Sequence, residues 1–259
     1  MTTDLGIELL SGGIGLLEIR RPPNNFFDAD LIEAIASAAH ELAQSDVARV
    51  LVLASEGKNF CAGADFGGVS GAAEVSADEG ARRLYTAAVR LFEAGLPMVA
   101  AVQGAAVGGG LGLALAADFR VAGPASRFAA NFSRIGLHHG FGMTVTLPRV
   151  VGAQHAADLL ITGRRIDGVE AYRIGLADRL VDTDDAIRDT AIAFAGEIAT
   201  AAPLAVRSIR ATLRAGLADA IAAATEHERA EQSWLRDTAD FAEGVRASTE
   251  RRAPIFTAR

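Results

Sequence analysis

The sequence predicts a mixed α/β protein that becomes wholly helical toward its carboxy terminus. Three observations carry that reading. Two apolar runs, 50–54 and Met98–Val102, show no polar alternation, as strands covered on both faces do. Each run breaks into glycine and other small residues, and after the second of them a short helix-like stretch, Leu111 to Ala117, follows at once. Beyond about residue 200 only helical patterns remain, over 203–215, Leu217–Leu235 and 238–249. We take 1–200 as the core and 201–259 as a helical extension of the same domain.

The elements follow in order. Segments 7–10 and 14–20 flank Ser11-Gly12-Gly13, a hairpin signal. Pro22-Pro23-Asn24-Asn25 makes a rigid turn, and Asp28 is placed to cap a helix over Ala29–Gln44. Residues 66–75, with three glycines, read as a mobile loop, and Ser76-Ala77-Asp78-Glu79 as a capping box for a helix to about Ala94. Short strands are expected at Phe119–Ala122 and 128–130, and mainly helix from Gly142 onward. Asp167-Gly168-Val169-Glu170 is a second capping box, and 184–200 a further helix.

Composition removes several function classes. The chain has 259 residues, half of them hydrophobic, enough to bury a full core. A net charge of −7 argues against nucleic-acid binding, which needs a basic face. Lys58 is the only lysine among 25 basic residues, so an anionic ligand must be held mostly by arginine or by backbone. The single cysteine, Cys61, permits no internal disulfide and fits a reducing compartment. With no activating partner beside it, it reads as a small buried residue. The amino terminus lacks the order of a signal peptide, and no apolar run approaches the length of a membrane span. The expectation is a soluble, cytoplasmic protein.

The chemistry concentrates in two stretches. In Gln103-Gly104-Ala105-Ala106-Val107-Gly108-Gly109-Gly110, a strand breaks into glycines just before a helix. Bare backbone N–H groups then lie beside the positive end of a helix dipole, where a phosphate or a developing oxyanion is stabilised. No dinucleotide or P-loop fingerprint is present. The second stretch, Gly57-Lys58-Asn59-Phe60-Cys61-Ala62-Gly63-Ala64-Asp65, is again small-residue backbone at a strand end.

Together these stretches resemble the crotonase superfamily, the enoyl-CoA hydratase/isomerase fold. Its pattern F-x-A-G-A-D, followed about forty residues later by G-x-A-x-G-G-G, is matched at both places. The likeness extends over nearly the whole chain. It includes Arg20-Arg21-Pro22-Pro23-Asn24-Asn25-Phe26-Phe27-Asp28, Leu147-Pro148-Arg149, Thr162-Gly163-Arg164, Gly175-Leu176-Ala177-Asp178 and the closing Glu250-Arg251-Arg252-Ala253-Pro254.

The resemblance implies a crotonase-type ββα spiral core with a C-terminal helical extension, assembled as a homotrimer or dimer of trimers. It implies an acyl-CoA substrate, with coenzyme A arriving as part of it and no separate cofactor or metal. The N–H groups of Ala64 and Gly109 would form an oxyanion hole for the thioester carbonyl. Contacts to CoA and the acyl group would fall on Asn24, Phe26, Ala62, Gly63, Asp65, Phe66, Gly108 and Phe132, with Arg251 or Arg252 near a phosphate.

One departure matters. The two glutamates of the family's hydratases fall on Gly112 and Phe132, and the acidic position of its dienoyl-CoA isomerases on Gly140. None of these residues transfers a proton. The pocket loop reads Ile135-Gly136-Leu137-His138-His139-Gly140-Phe141-Gly142, with His139 where the family has proline. Histidine suits proton transfer near neutral pH. Either His139, with His138 as second choice, replaces the carboxylates, or both histidines shape the loop. Tyr85 and Asp65 are the next candidates. Three readings stay open: a hydratase/isomerase-family enzyme with a different proton-transfer group, a C–C bond or thioester hydrolase, and a non-catalytic acyl-CoA binding protein.

Overall fold

The structure, a computed structural model, describes residues 4–64 and 77–259, with the side chains of Ala77 and Asp78 left aside. The loop expected over 66–75 and the Ser76 capping box lie outside the described residues, as do Asp65 and Phe66.

Strand β1 (Leu5–Leu10) and strand β2 (Ile14–Ile19) form the expected hairpin, in the register Leu5↔Ile19 to Leu10↔Ile14. Gly12 and Gly13 turn it at φ of 79° and 78°, a left-handed backbone that glycine adopts without a Cβ penalty. Strands β3 (Val50–Ser55), β4 (Met98–Val102), β6 (Phe119–Ala122) and β9 (Arg179–Leu180) then continue the sheet in the order β1-β2-β3-β4-β6-β9. Every pairing after the hairpin is parallel.

The unalternated sequence of β3 and β4 has the expected cause: both faces are covered. Leu51, Leu53, Ala100 and Val102 pack on one face with helix α1 (Ala29–Gln44), helix α2 (Ala77–Phe92) and helix α3 (Gly109–Ala116). Val50, Val52, Val99 and Ala101 pack on the other against Ile187, Ala191 and Ala195 of helix α7 (Ile187–Ala199). Helix α1 starts where the sequence placed it, because the Asp28 carboxylate accepts the Leu31 N–H at 2.9 Å. Asp167 likewise accepts the Glu170 N–H to open α6 (Gly168–Arg173). The box is only half made, since the Glu170 carboxylate turns to Arg164 instead.

Three short strands escaped the sequence reading. Strand β5 (Ala105–Val107) lies inside the glycine-rich stretch and pairs parallel with β7 (Arg127–Ala129). Strand β8 (Arg165–Asp167) pairs antiparallel with β7, and β9 joins the large sheet, so the region after Gly142 is not helical throughout. Two or three residues are too few for a period to show, and alanine and arginine have little strand preference. Helices α4 (Met143–Val151) and α5 (Ala153–Thr162) precede β8. Helices α8 (Pro203–Leu213), α9 (Leu217–Leu235) and α10 (Ala239–Glu250) close the chain, with α9 lying against α2 and α4.

Candidate active site

The two glycine-containing stretches, separated by some forty residues, meet. The Cys61 N–H donates to the Ala105 carbonyl at 2.8 Å, and the Val107 N–H donates to the Cys61 carbonyl at 3.0 Å. These bonds tie the segment after β3 to β5. On its other side the Ala62 N–H reaches the Asn24 carbonyl at 2.9 Å, and the Phe27 N–H reaches the Gly63 carbonyl at 3.0 Å. Residues 60–64 are therefore threaded between the Asn24–Phe27 turn and β5.

Close approach here requires glycine. A Cβ on Gly110 would sit 2.0 Å from the Cys61 carbonyl oxygen, well inside contact distance. Gly63 has φ of 111°, and a Cβ there would lie 3.1 Å from the Val107 oxygen and 3.7 Å from the Gly109 nitrogen. Gly108, at φ of 57°, starts α3; its carbonyl accepts the Leu111 N–H at 3.0 Å. Among the described residues no acceptor meets the Ala64 N–H or the Gly109 N–H. Gly109 opens an eight-residue buried helix, at whose N-terminus partial positive charge accumulates.

Asn24 and Phe26 border an adjoining cavity of about 410 Å³ with Arg21, Pro22 and Pro23. Phe26 is exposed. The neighbouring Asn25, which the sequence reading passed over, is fully buried and pins the turn. Its side chain accepts from the Arg21 N–H and donates to the Glu56 and Asn59 carbonyls. Arg21 is held between Asp4 and Asp28. Arg252 is bound to Glu243 at 2.9 Å. Cys61 is buried, and burial pushes its thiol up to about 12, so it is an inert packing residue as expected.

The wall beside the two donors is hydrocarbon. Phe132 is buried, with its ring 3.7 Å from where a Gly108 Cβ would stand. A Cβ on Gly112 would lie 2.6 Å from the Cβ of Phe141. No carboxylate can be introduced at 112 without displacing that ring.

His138 and His139 stack at 4.1 Å between ring centroids. His138 Nδ1 lies 2.8 Å from the His139 carbonyl oxygen. His139 Nε2 lies 2.8 Å from Thr144 Oγ1, which in turn donates to Glu228 Oε1 at 2.7 Å. Because the threonine proton goes to the carboxylate, its oxygen accepts from His139, placing the imidazole proton on Nε2. Burial, followed by the nearby His138 and His227, lowers His139 to about 4, so the ring is neutral at pH 7. The hydrogen bonds of the pair lead to Thr144 and α9; none reaches Ala64 or Gly109.

Sequence reasoning missed the group that organises this loop. The Glu228 side chain, on α9, has no exposed surface and also accepts the Gly142 N–H at 2.8 Å and the Thr144 N–H at 3.0 Å. Burial raises its pKa despite these bonds. One helical turn on, Gln232 donates to the His138 carbonyl and accepts from the Tyr85 hydroxyl at 2.9 Å. Tyr85 is buried, and burial raises its pKa, so it is a neutral hydroxyl. Glu228 and Gln232 sit among Glu226, His227, Arg229 and Glu231, so the helix reads as a solvated face. Their i, i+4 spacing on the side facing α2 was the available signal.

A mostly parallel sheet backed by helices, with a glycine-rich strand-to-helix junction held against the segment after β3, defines the scaffold. The family model described as enoyl-CoA hydratase/isomerase matches residues 10–259, and the chain belongs to that family. A probable enoyl-CoA hydratase of Mycobacterium tuberculosis is 37% identical over 223 residues, 86% of each chain. A probable enoyl-CoA hydratase of Rhodobacter capsulatus is 35% identical over 253 residues, 96% of each. The crystal structure of an enoyl-CoA hydratase/isomerase from Pseudoalteromonas atlantica T6c superposes with a TM-score of 0.85 at 29% identity. It covers 98% of this chain and 100% of that one. The fold is the crotonase fold that the sequence motifs implied, and the chain is an acyl-CoA enzyme of this family.

The contact between α3 and Cys61 can be tested on stability. Gly110→Ala should lower the melting temperature, because overpacking against backbone costs about 1–3 kcal/mol or more, beyond the helix-propensity gain of about 1 kcal/mol. Gly80→Ala in α2, where a Cβ meets nothing within 4 Å, isolates that gain and should raise it. Equal shifts in the two variants would remove the close approach from the account.

Proposed function

We propose that this protein acts on an acyl-CoA thioester whose carbonyl oxygen sits between the Ala64 and Gly109 N–H groups, with His139 as the proton-transfer group. The supporting observation is the close approach of the Cys61–Gly63 segment to the start of α3, beside two N–H groups without an acceptor among the described residues. Enolate or tetrahedral chemistry at a thioester puts negative charge on that oxygen, and fixed N–H dipoles stabilise it without reorganising. Asn24, Phe26, Ala62, Gly63 and Gly108 contribute the binding surface, and Asp65 and Phe66 extend it. Coenzyme A is part of the substrate, and no separate cofactor or metal enters the reaction.

Gly112 and Phe132 stand where the family's hydratases carry glutamates, so the acid and base must come from elsewhere. His139 supplies a neutral imidazole whose tautomer is set by the Thr144–Glu228 pair, leaving Nδ1 as the lone pair that takes a proton. His138 is the alternative. Water addition, double-bond migration and thioester hydrolysis all begin from the same held carbonyl. Product analysis on a small acyl-CoA panel separates them from binding without turnover.

A pair of substitutions at one position isolates the donor. Gly109→Ala and Gly109→Pro place the same Cβ against Phe27, but only proline removes the N–H. Turnover of the proline variant should fall a further ~10²–10³ below that of the alanine variant, the usual effect of one oxyanion donor. His139→Gln should cost about 10²–10⁴ with acyl-CoA affinity retained. The ring must be unprotonated to act as base, so the wild-type rate should hold from neutral pH down and be lost only as pH falls through about 4. Full activity in both His139→Gln and His138→Gln would make the histidines structural.

We propose a trimer or dimer of trimers as the assembly. Helix α8 buries none of its residues within the chain and exposes Leu204, Ile209 and Leu213, an apolar face that a neighbouring copy would cover. Light scattering should return three or six chain masses; one chain mass at micromolar concentration contradicts it.

A further inference from the structure

Helix α8 is fastened to the body by charge instead of hydrocarbon. Between Ala199, which ends α7, and Leu217, which opens α9, no residue is buried. Leu204, Ile209 and Leu213 are 79%, 60% and 66% exposed, so the large apolar side chains of α8 do not hold it down. Val206, Arg207, Arg210 and Arg214 are the half-buried residues of this segment. The spacing of Val206, Arg210 and Arg214 puts them on one side of the helix and its cap, so the inner side is mostly arginine.

Two of these arginines converge on one carboxylate. Arg210 Nε donates to Asp118 Oδ2 and Arg214 Nη1 to Asp118 Oδ1, each at 2.8 Å. The side chains of Arg210, Arg214 and Asp118 are only 12%, 14% and 14% exposed. Arg210 also donates to the Ala94 carbonyl, and Arg214 to the Phe92 carbonyl at 3.3 Å and the Ala116 carbonyl at 3.5 Å. Phe92 ends α2 and Ala116 ends α3, so their carbonyls lack partners within their own helices and favour positive charge. Arg207 reaches the Ala48 carbonyl at 3.4 Å, and Arg149 donates to the Leu213 carbonyl.

We propose that Asp118, Arg210 and Arg214 form a polar latch, and that residues 200–216 are a strap which it closes on the ends of α2 and α3. Opening the strap uncovers little apolar surface, so the burial that holds the other helices does not oppose it. It costs the ion pairs and their hydrogen bonds, and the sheet stays folded. A second copy that covers Leu204, Ile209 and Leu213 meets a fixed surface only while the latch is closed, so assembly depends on Asp118. That dependence rests on the assembly proposed above; the latch does not.

Amide exchange of the whole chain, read by mass spectrometry, tests the latch, and light scattering on the same samples tests its link to assembly. Asp118→Asn removes the charge but keeps an acceptor for the Met98 N–H, which Asp118 now accepts at 2.8 Å. It should speed exchange over 203–214 at least about tenfold, the effect of losing a hydrogen bond to a charged group, and leave 50–54 and 98–102 unchanged. Arg210→Gln with Arg214→Gln breaks the latch from the side of α8, and it carries the test if the Asp118 variant does not fold. Wild-type rates over 203–214 in the folded variants, or exchange that rises equally over 98–102, overturn the latch. The same variants should lose mass toward one chain. Open straps at an unchanged three or six chain masses overturn the link to assembly. Wild-type protein at one chain mass overturns the assembly reading itself, while the exchange rates still decide the latch.

Discussion

Everything at the site depends on how closely α3 comes to the segment after β3. The Gly110 Cα faces the Cys61 carbonyl with no room for a Cβ, and two hydrogen bonds between Cys61 and β5 lock that distance. Residues 60–64 are pinned by Asn24 and Phe27, and Gly109 opens a helix whose preceding carbonyl is already used. The junction is thus made of backbone, and its requirement is that side chains be absent. That explains an alanine- and glycine-rich sequence in the most buried part of the fold, where large apolar residues would ordinarily stabilise more.

The second dependence runs through Glu228. A buried carboxylate is costly unless its oxygens are satisfied, and this one accepts three hydrogen bonds, from Gly142 N–H, Thr144 N–H and Thr144 Oγ1. Those bonds do three things together. They join α9, in the helical extension, to the loop over α3; they hold the left-handed pair Phe141–Gly142; and through Thr144 they set the tautomer of His139. The apolar wall and the histidine are consequences of one anchored loop.

The fold was legible wherever a period was long enough to read. Helix α1 began at its capping Asp28, α9 ran where its helical pattern put it, and the unalternated β3 and β4 announced a sheet covered on both faces. Strands β5, β8 and β9 were not legible, since two or three residues gain their strand conformation from neighbours rather than from their own preference. Of the site, the meeting of Ala62–Ala64 with Gly108–Gly110 was legible as motif and spacing. Glu228 and Gln232 were not: a polar residue on a charged helix carries no mark of being buried. The role of Phe141 was equally hidden, because the sequence shows a phenylalanine between two glycines and gives no sign that its ring covers Gly112.

Binding of a thioester oxygen by the two amides, as proposed, is measured by a crystal structure with butanoyl-CoA bound. The thioester carbonyl oxygen should lie within about 2.7–3.1 Å of both the Ala64 and the Gly109 nitrogen. A thioester oxygen hydrogen-bonded elsewhere, with those two amides left to solvent, would contradict it.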